Sequence, residues 1–207
     1  HAVTLTGLGE RAHLLSSTIT LQTHIDDVLN AIAAEEMDDA VLAVHSYAGM
    51  LGTAVADRLS GRLKHLVYVD AVVPRPGESW SSTHASTTRE ARLAAAQASP
   101  LYSFPPPDPA VFGLADADYE WVRRRQTPHP GHTYTAPLDF DPRRVAAGAS
   151  SATRPLVFVK RGSCSGTPRD HSPVLFTRNL CRRQVSGFGR QGRKFRNVKA
   201  KSEERGA

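Results

Sequence analysis

The residue of this chain best placed to do chemistry is Ser46, in Val44-His45-Ser46-Tyr47-Ala48-Gly49. Ala40 to Val44 is an apolar run with the length of a buried strand. Gly49 to Leu59 then puts Leu51, Val55 and Leu59 on one helical face. A serine on a tight strand-to-helix turn has the geometry of a nucleophile elbow. The turn lifts the hydroxyl above the sheet, and the helix aims its unpaired N-terminal N–H groups at the same spot. An oxyanion forming there would be stabilised by the Tyr47 N–H. The spacing also fits an ordinary loop serine, and G-x-S-x-G is matched imperfectly. Val44 replaces the first glycine and Ala48 the second, and a β-branched Val44 is expected to crowd the turn.

The elements that would position Ser46 follow from the flanking pattern. His65 to Val69 is a second buried-strand candidate, ending on Asp70. Strand, helix and strand within about thirty residues make a βαβ unit, so a parallel sheet is expected. Active groups gather at the carboxyl ends of such strands, where Ser46 and Asp70 both lie. Asp70 reads equally well as a turn cap. Upstream, Thr23 is the expected N-cap of a helix running to Glu36, with Ile25, Val28, Leu29 and Ile32 on its apolar face. His13 and His24 read as surface or second-layer groups. Gly7-Leu8-Gly9 lacks the third glycine of a phosphate cradle and reads as a loop.

Pro74 to Phe140 changes character. It is rich in proline and holds two helical patterns, Thr88 to Ala98 and Asp116 to Arg125. This reads as a cap inserted into the sheet, with Phe104, Phe112, Trp121 and Tyr134 either lining a substrate pocket or simply packing the cap. Leu156 to Lys160 is the third strand, followed by a loop and Asp170-His171-Ser172-Pro173. From Arg182 to Ala207 there are nine Lys/Arg against two Glu, so the net charge of +6 belongs to this tail. The tail reads as disordered.

Several separated segments share a resemblance. Leu5-Thr6-Gly7-Leu8-Gly9-Glu10-Arg11-Ala12-His13-Leu14 with Thr23-His24-Ile25-Asp26-Asp27-Val28 is similar to a stretch of the α/β-hydrolase superfamily. The branch is that of small bacterial esterases related to plant methylesterases and hydroxynitrile lyases. Val44 to Met50 resembles its Gly-His-Ser-Tyr-Gly-Gly-Met elbow, and His65 to Pro74 its next strand. Phe112-Gly113-Leu114, Trp121-Val122 and Thr127-Pro128-His129-Pro130 resemble its cap, and Asp170-His171-Ser172-Pro173 the loop with its catalytic histidine. The resemblance spans roughly residues 1 to 180 and comes in the family's order. It implies a three-layer α/β fold with a mostly parallel sheet and a helical cap over about 74–140. The chain matches from the family's fourth strand onward, so the family's first strands and second oxyanion donor are expected to be missing.

The resemblance further implies a serine hydrolase of small carboxylic esters. Ser46 would be the nucleophile, His171 the general base and Asp70 the group orienting it, with Asp170 the weaker candidate acid. Tyr47 would supply the oxyanion N–H. His45, Phe104, Phe112 and Trp121 would border the substrate. With an elbow glycine and one oxyanion donor absent, weak or lost activity is expected. Pro74 to Phe140 contains no lysine, which favours ester hydrolysis over cyanohydrin cleavage. The alternative function is a non-catalytic, hydrolase-like protein that holds nucleic acid or another polyanion through the basic tail.

Composition narrows the remaining classes. An apolar fraction of 40% can supply a core, and no apolar run approaches a membrane span. Cys164 and Cys181 allow one bridge at most and show no metal-ligand spacing, so neither metal nor cofactor is expected. No export signal or disulfide framework is visible, which points to the cytoplasm. An edge of the sheet left open by missing strands predicts self-association.

Overall fold

The computed structural model of the chain describes residues 1–59, 61–149 and 157–159. His171, Asp170, both cysteines and the basic tail lie outside the described residues.

Helix α1 (Leu21–Ala34) starts three residues earlier than its pattern predicts. Thr20 is the cap: its hydroxyl accepts from the Thr23 N–H at 3.3 Å, and its own N–H donates to the Thr23 hydroxyl at 3.2 Å. This reciprocal pair satisfies two orphan donors at once, which Thr23 and Asp26 would not. Leu21, His24, Ile25, Val28 and Ile32 form the buried face.

Strand β1 (Ala40–Ser46), helix α2 (Ala48–Arg58) and strand β2 (Leu63–Ala71) make the expected βαβ unit. β1 and β2 are parallel, and β7 (Val157–Val159) pairs with the other side of β2, giving the order β1-β2-β7. α2 is buried over eight consecutive residues, Gly49 to Ala56, as befits a helix enclosed by β1, β2, α1 and α6. β1 departs from expectation. Only Val44 of it is buried, and Val41 is 57% exposed. The reason is its place at the edge of the described sheet, where no neighbour covers its outer side.

Between β2 and β7 the chain makes a long excursion that adds no strand to this sheet. It contains β3 (Glu78–Ser79), a 3-10 turn at Trp80–Thr83, α3 (Ser86–Ala98), β4 (Ser103–Phe104) and a second 3-10 turn at Pro109–Phe112. Then come α4 (Asp116–Arg123), β5 (His129–Pro130), α5 (His132–Thr135), β6 (Pro137–Leu138) and α6 (Pro142–Ala149). Two short antiparallel pairs fold it back on itself. β3 pairs with β6, and β4 with β5. These pairings bring Trp80, Phe104, His129 and Tyr134 into one place.

Candidate active site

Ser46 ends β1 with a left-handed backbone, φ +52°. For an L-residue this conformation costs about 1–2 kcal/mol and persists only where the surroundings impose it. Asp70 has the same signature, φ +44°, at the end of the adjacent parallel strand. His45 lies opposite Val69 and Ser46 opposite Ala71, so the register slips at this point, beside Asp70. Ser46 and Asp70 are both exposed and stand side by side at the carboxyl end of the sheet.

Two close contacts impose the turn. The Ser46 carbonyl accepts from the Val72 N–H at 3.0 Å. The first turn of α2 presses on the same peptide: a Cβ on Gly49 would lie 1.8 Å from the Val72 carbonyl oxygen. A glycine three residues after the serine is therefore required here, and Ala48 in the motif's second glycine position is tolerated. Val44 does not crowd the turn as its side chain suggested. Its methyls fill the space left by Gly52, where a Cβ would lie 2.7 Å from Val44 Cγ1. The small residue has moved from the strand to the helix facing it.

Tyr47, which follows the serine, is buried, and its hydroxyl meets His24 Nδ1 at 3.1 Å. His24 is 0% exposed, so of the surface and second-layer readings it takes the second, behind Tyr47. Its Nε2 lies 2.8 Å from the Thr6 carbonyl. Burial pushes the His24 pKa down and holds the ring neutral at ordinary pH, and burial raises that of the Tyr47 phenol. Asp27, one turn along α1, accepts from the Thr6 N–H (2.6 Å) and hydroxyl (2.8 Å) and pairs with Arg11 at 2.9 Å. The elbow is thus tied through α1 to the segment at Thr4–Arg11.

The model of the alpha/beta hydrolase family matches residues 1–194. The chain belongs to that family. It is similar to a carbendazim hydrolyzing esterase of Nocardioides sp. (strain SG-4G), 38% identical over 181 residues, covering 84% of this chain and 72% of that one. Its fold is similar to that of a solved extracellular alpha/beta-hydrolase from a Paenibacillus species, described as sharing structural and functional homology with tobacco salicylic acid binding protein 2. That match has a TM-score of 0.61 at 19% identity and covers 70% of this chain. The chain spans about 60% of the length of that structure. The polyanion-binding alternative gains nothing from these likenesses.

In this hydrolase the excursion between β2 and β7 lays an aromatic cluster on the turn at Ser46–Tyr47. Tyr47 lies 4.7 Å from the Trp80 ring and 4.8 Å from His129, centre to centre. Phe104 and Tyr134, both buried, close the cluster around Trp80 and His129. Thr133 donates its hydroxyl proton to the Pro130 carbonyl at 2.7 Å, so His129 Nε2, 2.8 Å away, must donate to Thr133. Enclosure by rings pushes the His129 pKa down to about 3, with His24 and Arg92 adding to the effect. Arg92 of α3 lies over the Trp80, Phe104 and Tyr134 rings at 5.1, 5.5 and 5.3 Å.

Of the aromatics considered from sequence, Phe104 and Tyr134 enter this cluster. Phe112 (50%) and Trp121 (42%) are exposed on the cap, with Arg125 over the Trp121 ring. His45 is exposed on β1 next to Ser46. Trp80, His129 and Arg92 were not singled out. The cue for Trp80 was a lone tryptophan just after Pro74-Arg75-Pro76-Gly77, where no periodicity marks it. Among the described residues no group of His, Cys, Asp or Glu is arranged to hold a metal, and no helix is long and apolar enough to cross a membrane.

Proposed function

We propose that this chain hydrolyses carboxylic esters through Ser46. The single observation that carries the reading is the left-handed Ser46 at the junction of β1 and α2, held there by the Val72 and Gly49 contacts. Membership of the family and likeness to an esterase support it. The Ser46 hydroxyl attacks the ester carbonyl while His171 takes its proton. The carbonyl oxygen gathers negative charge against the Tyr47 N–H. His171 then protonates the departing alcohol, leaving an acyl-serine. Water, deprotonated by the same histidine, releases the carboxylic acid. Asp70, next to Ser46 at the strand ends, orients the imidazole. Carbendazim, named in the esterase this chain resembles, is the first compound to try.

Labelling the purified chain with a fluorophosphonate, read by intact mass, tests this. One adduct is expected, absent in Ser46→Ala, together with turnover of an aryl ester that the same substitution abolishes. A folded chain that takes no label and turns over no ester, or a Ser46→Ala variant that keeps its turnover, overturns it.

A further inference from the structure

We propose that His24 and the Tyr47 hydroxyl form a positioning pair that fixes where the oxyanion-binding N–H stands. The inference rests on the esterase reading above. The donor N–H of Tyr47 and the Ser46 carbonyl belong to one trans peptide unit, in which C=O and N–H point in opposite directions. The carbonyl end is fixed by the Val72 N–H at 3.0 Å. The N–H therefore points away from Val72, but the peptide unit can still swing about the axis of that hydrogen bond, which moves the N–H sideways without changing its direction. The Tyr47 side chain stops that swing. Its ring is packed between Trp80 and His129, and its hydroxyl ends on His24.

The proton count makes this contact directional. A carbonyl oxygen only accepts, so His24 Nε2 carries the proton and donates to Thr6. His24 Nδ1 then holds a lone pair, and the Tyr47 hydroxyl must donate to it. The ring is locked in one tautomer by a carbonyl that is itself fixed, since Asp27 holds both the N–H and the hydroxyl of Thr6. Two residues on one face of α1, His24 and Asp27, thus grip Thr6, and one of them passes that grip to the elbow.

The test is a double-mutant cycle in the full chain. Tyr47→Phe removes one oxygen and keeps the ring. His24→Gln keeps an amide donor within reach of the Thr6 carbonyl and moves the acceptor from the imidazole Nδ1 to an amide oxygen on the same carbon as that donor. Each is expected to lower kcat for an aryl ester, and the rate of fluorophosphonate labelling, about tenfold with KM unchanged, a part of the 10²–10³ that losing an oxyanion donor outright costs. The double variant should lose no more than either alone. Losses that multiply, or a Tyr47→Phe variant with unchanged kcat, overturn the pair while leaving the esterase reading intact. So does a loss carried by KM alone. If His24→Gln does not fold, Tyr47→Phe decides by itself, because its ring packing is retained. A wild-type chain with neither turnover nor labelling overturns the esterase reading and the pair with it.

Discussion

The elbow and the cap cluster touch at Tyr47 but are held together by different physics. The elbow is a backbone construction. Its residues are close in sequence, its key bonds run between peptide groups, and its tolerance is set by hard contacts at Gly49 and Gly52. The cap cluster is a side-chain construction. Trp80, His84, Arg92, Phe104, His129 and Tyr134 come from five separate segments, joined by two-residue strand pairs too short to be stable alone. Volume changes should break the first, and protons the second.

The largest effect is expected at Gly49. A methyl there meets a backbone oxygen at 1.8 Å, which no side-chain movement can clear. Gly49→Ala should cost about 3 kcal/mol or more, at the upper end of overpacking penalties, and no trimming elsewhere should restore it. Gly52→Ala sharpens the contrast. Its methyl meets side-chain atoms, Val44 Cγ1 at 2.7 Å and Leu66 Cδ1 at 3.0 Å, so the cost should be about 1–3 kcal/mol, and Val44→Ala in the same chain should recover part of it. Urea unfolding of these three variants measures both. A Gly49→Ala chain as stable as the wild type would mean that α2 does not seat on Val72.

These differences also decide what could be read from the sequence. The βαβ unit and the serine turn were legible because their information is local: an apolar run, a turn and a 3.6-residue repeat within Ala40 to Leu59. Val44 looked like a fault because its compensation, Gly52, lies two helical turns away on another element. The start of α1 was misplaced because Thr20 and Thr23 are both good caps, and only their mutual geometry chooses between them. His24 was left open between surface and second layer for the same reason on a larger scale. Its two partners are Thr6, 18 residues before it, and Tyr47, 23 after it. Phe104 and Phe112 are the same residue type in the same proline-rich stretch. One is buried because β4 pairs with β5, the other exposed at the end of a 3-10 turn.

Acid should separate the two regions next. His129 titrates near 3 when folded and near 6.5 when unfolded. Its contribution is complete above pH 6.5 and is lost as pH falls from 6.5 toward 3, because only the unfolded chain takes up the proton. The slope is at most about 1.4 kcal/mol per pH unit for this one group. His24 and His84 are shifted in the same direction by burial and steepen the fall. His129→Gln, whose amide can still donate to Thr133, should flatten the pH dependence of stability in this range by about one proton. An unchanged slope would mean that the ring is not enclosed by the cluster.

The smallest effect belongs to Arg92, which joins the cap's charge to its rings. Its guanidinium lies 3.1 Å from His84 Nε2 and covers three aromatic faces from a half-buried position. Arginine has no lone pair to offer, so it donates, His84 Nε2 accepts, and His84 Nδ1–H is left for the Trp80 carbonyl at 3.1 Å. Arg92→Met keeps much of the apolar cover and removes the charge. The loss of the cation over the rings should cost about 0.5–1 kcal/mol in thermal or urea unfolding. The more telling readout is His84 itself. Its pKa is held down by burial first and by the Arg92 charge second. Removing that charge should move His84 upward, as followed by its ring resonances against pH, while the Tyr47–His24 contact and the elbow stay unchanged. A His84 that does not move would place Arg92 outside the cluster and make the cap's hold a matter of ring packing alone.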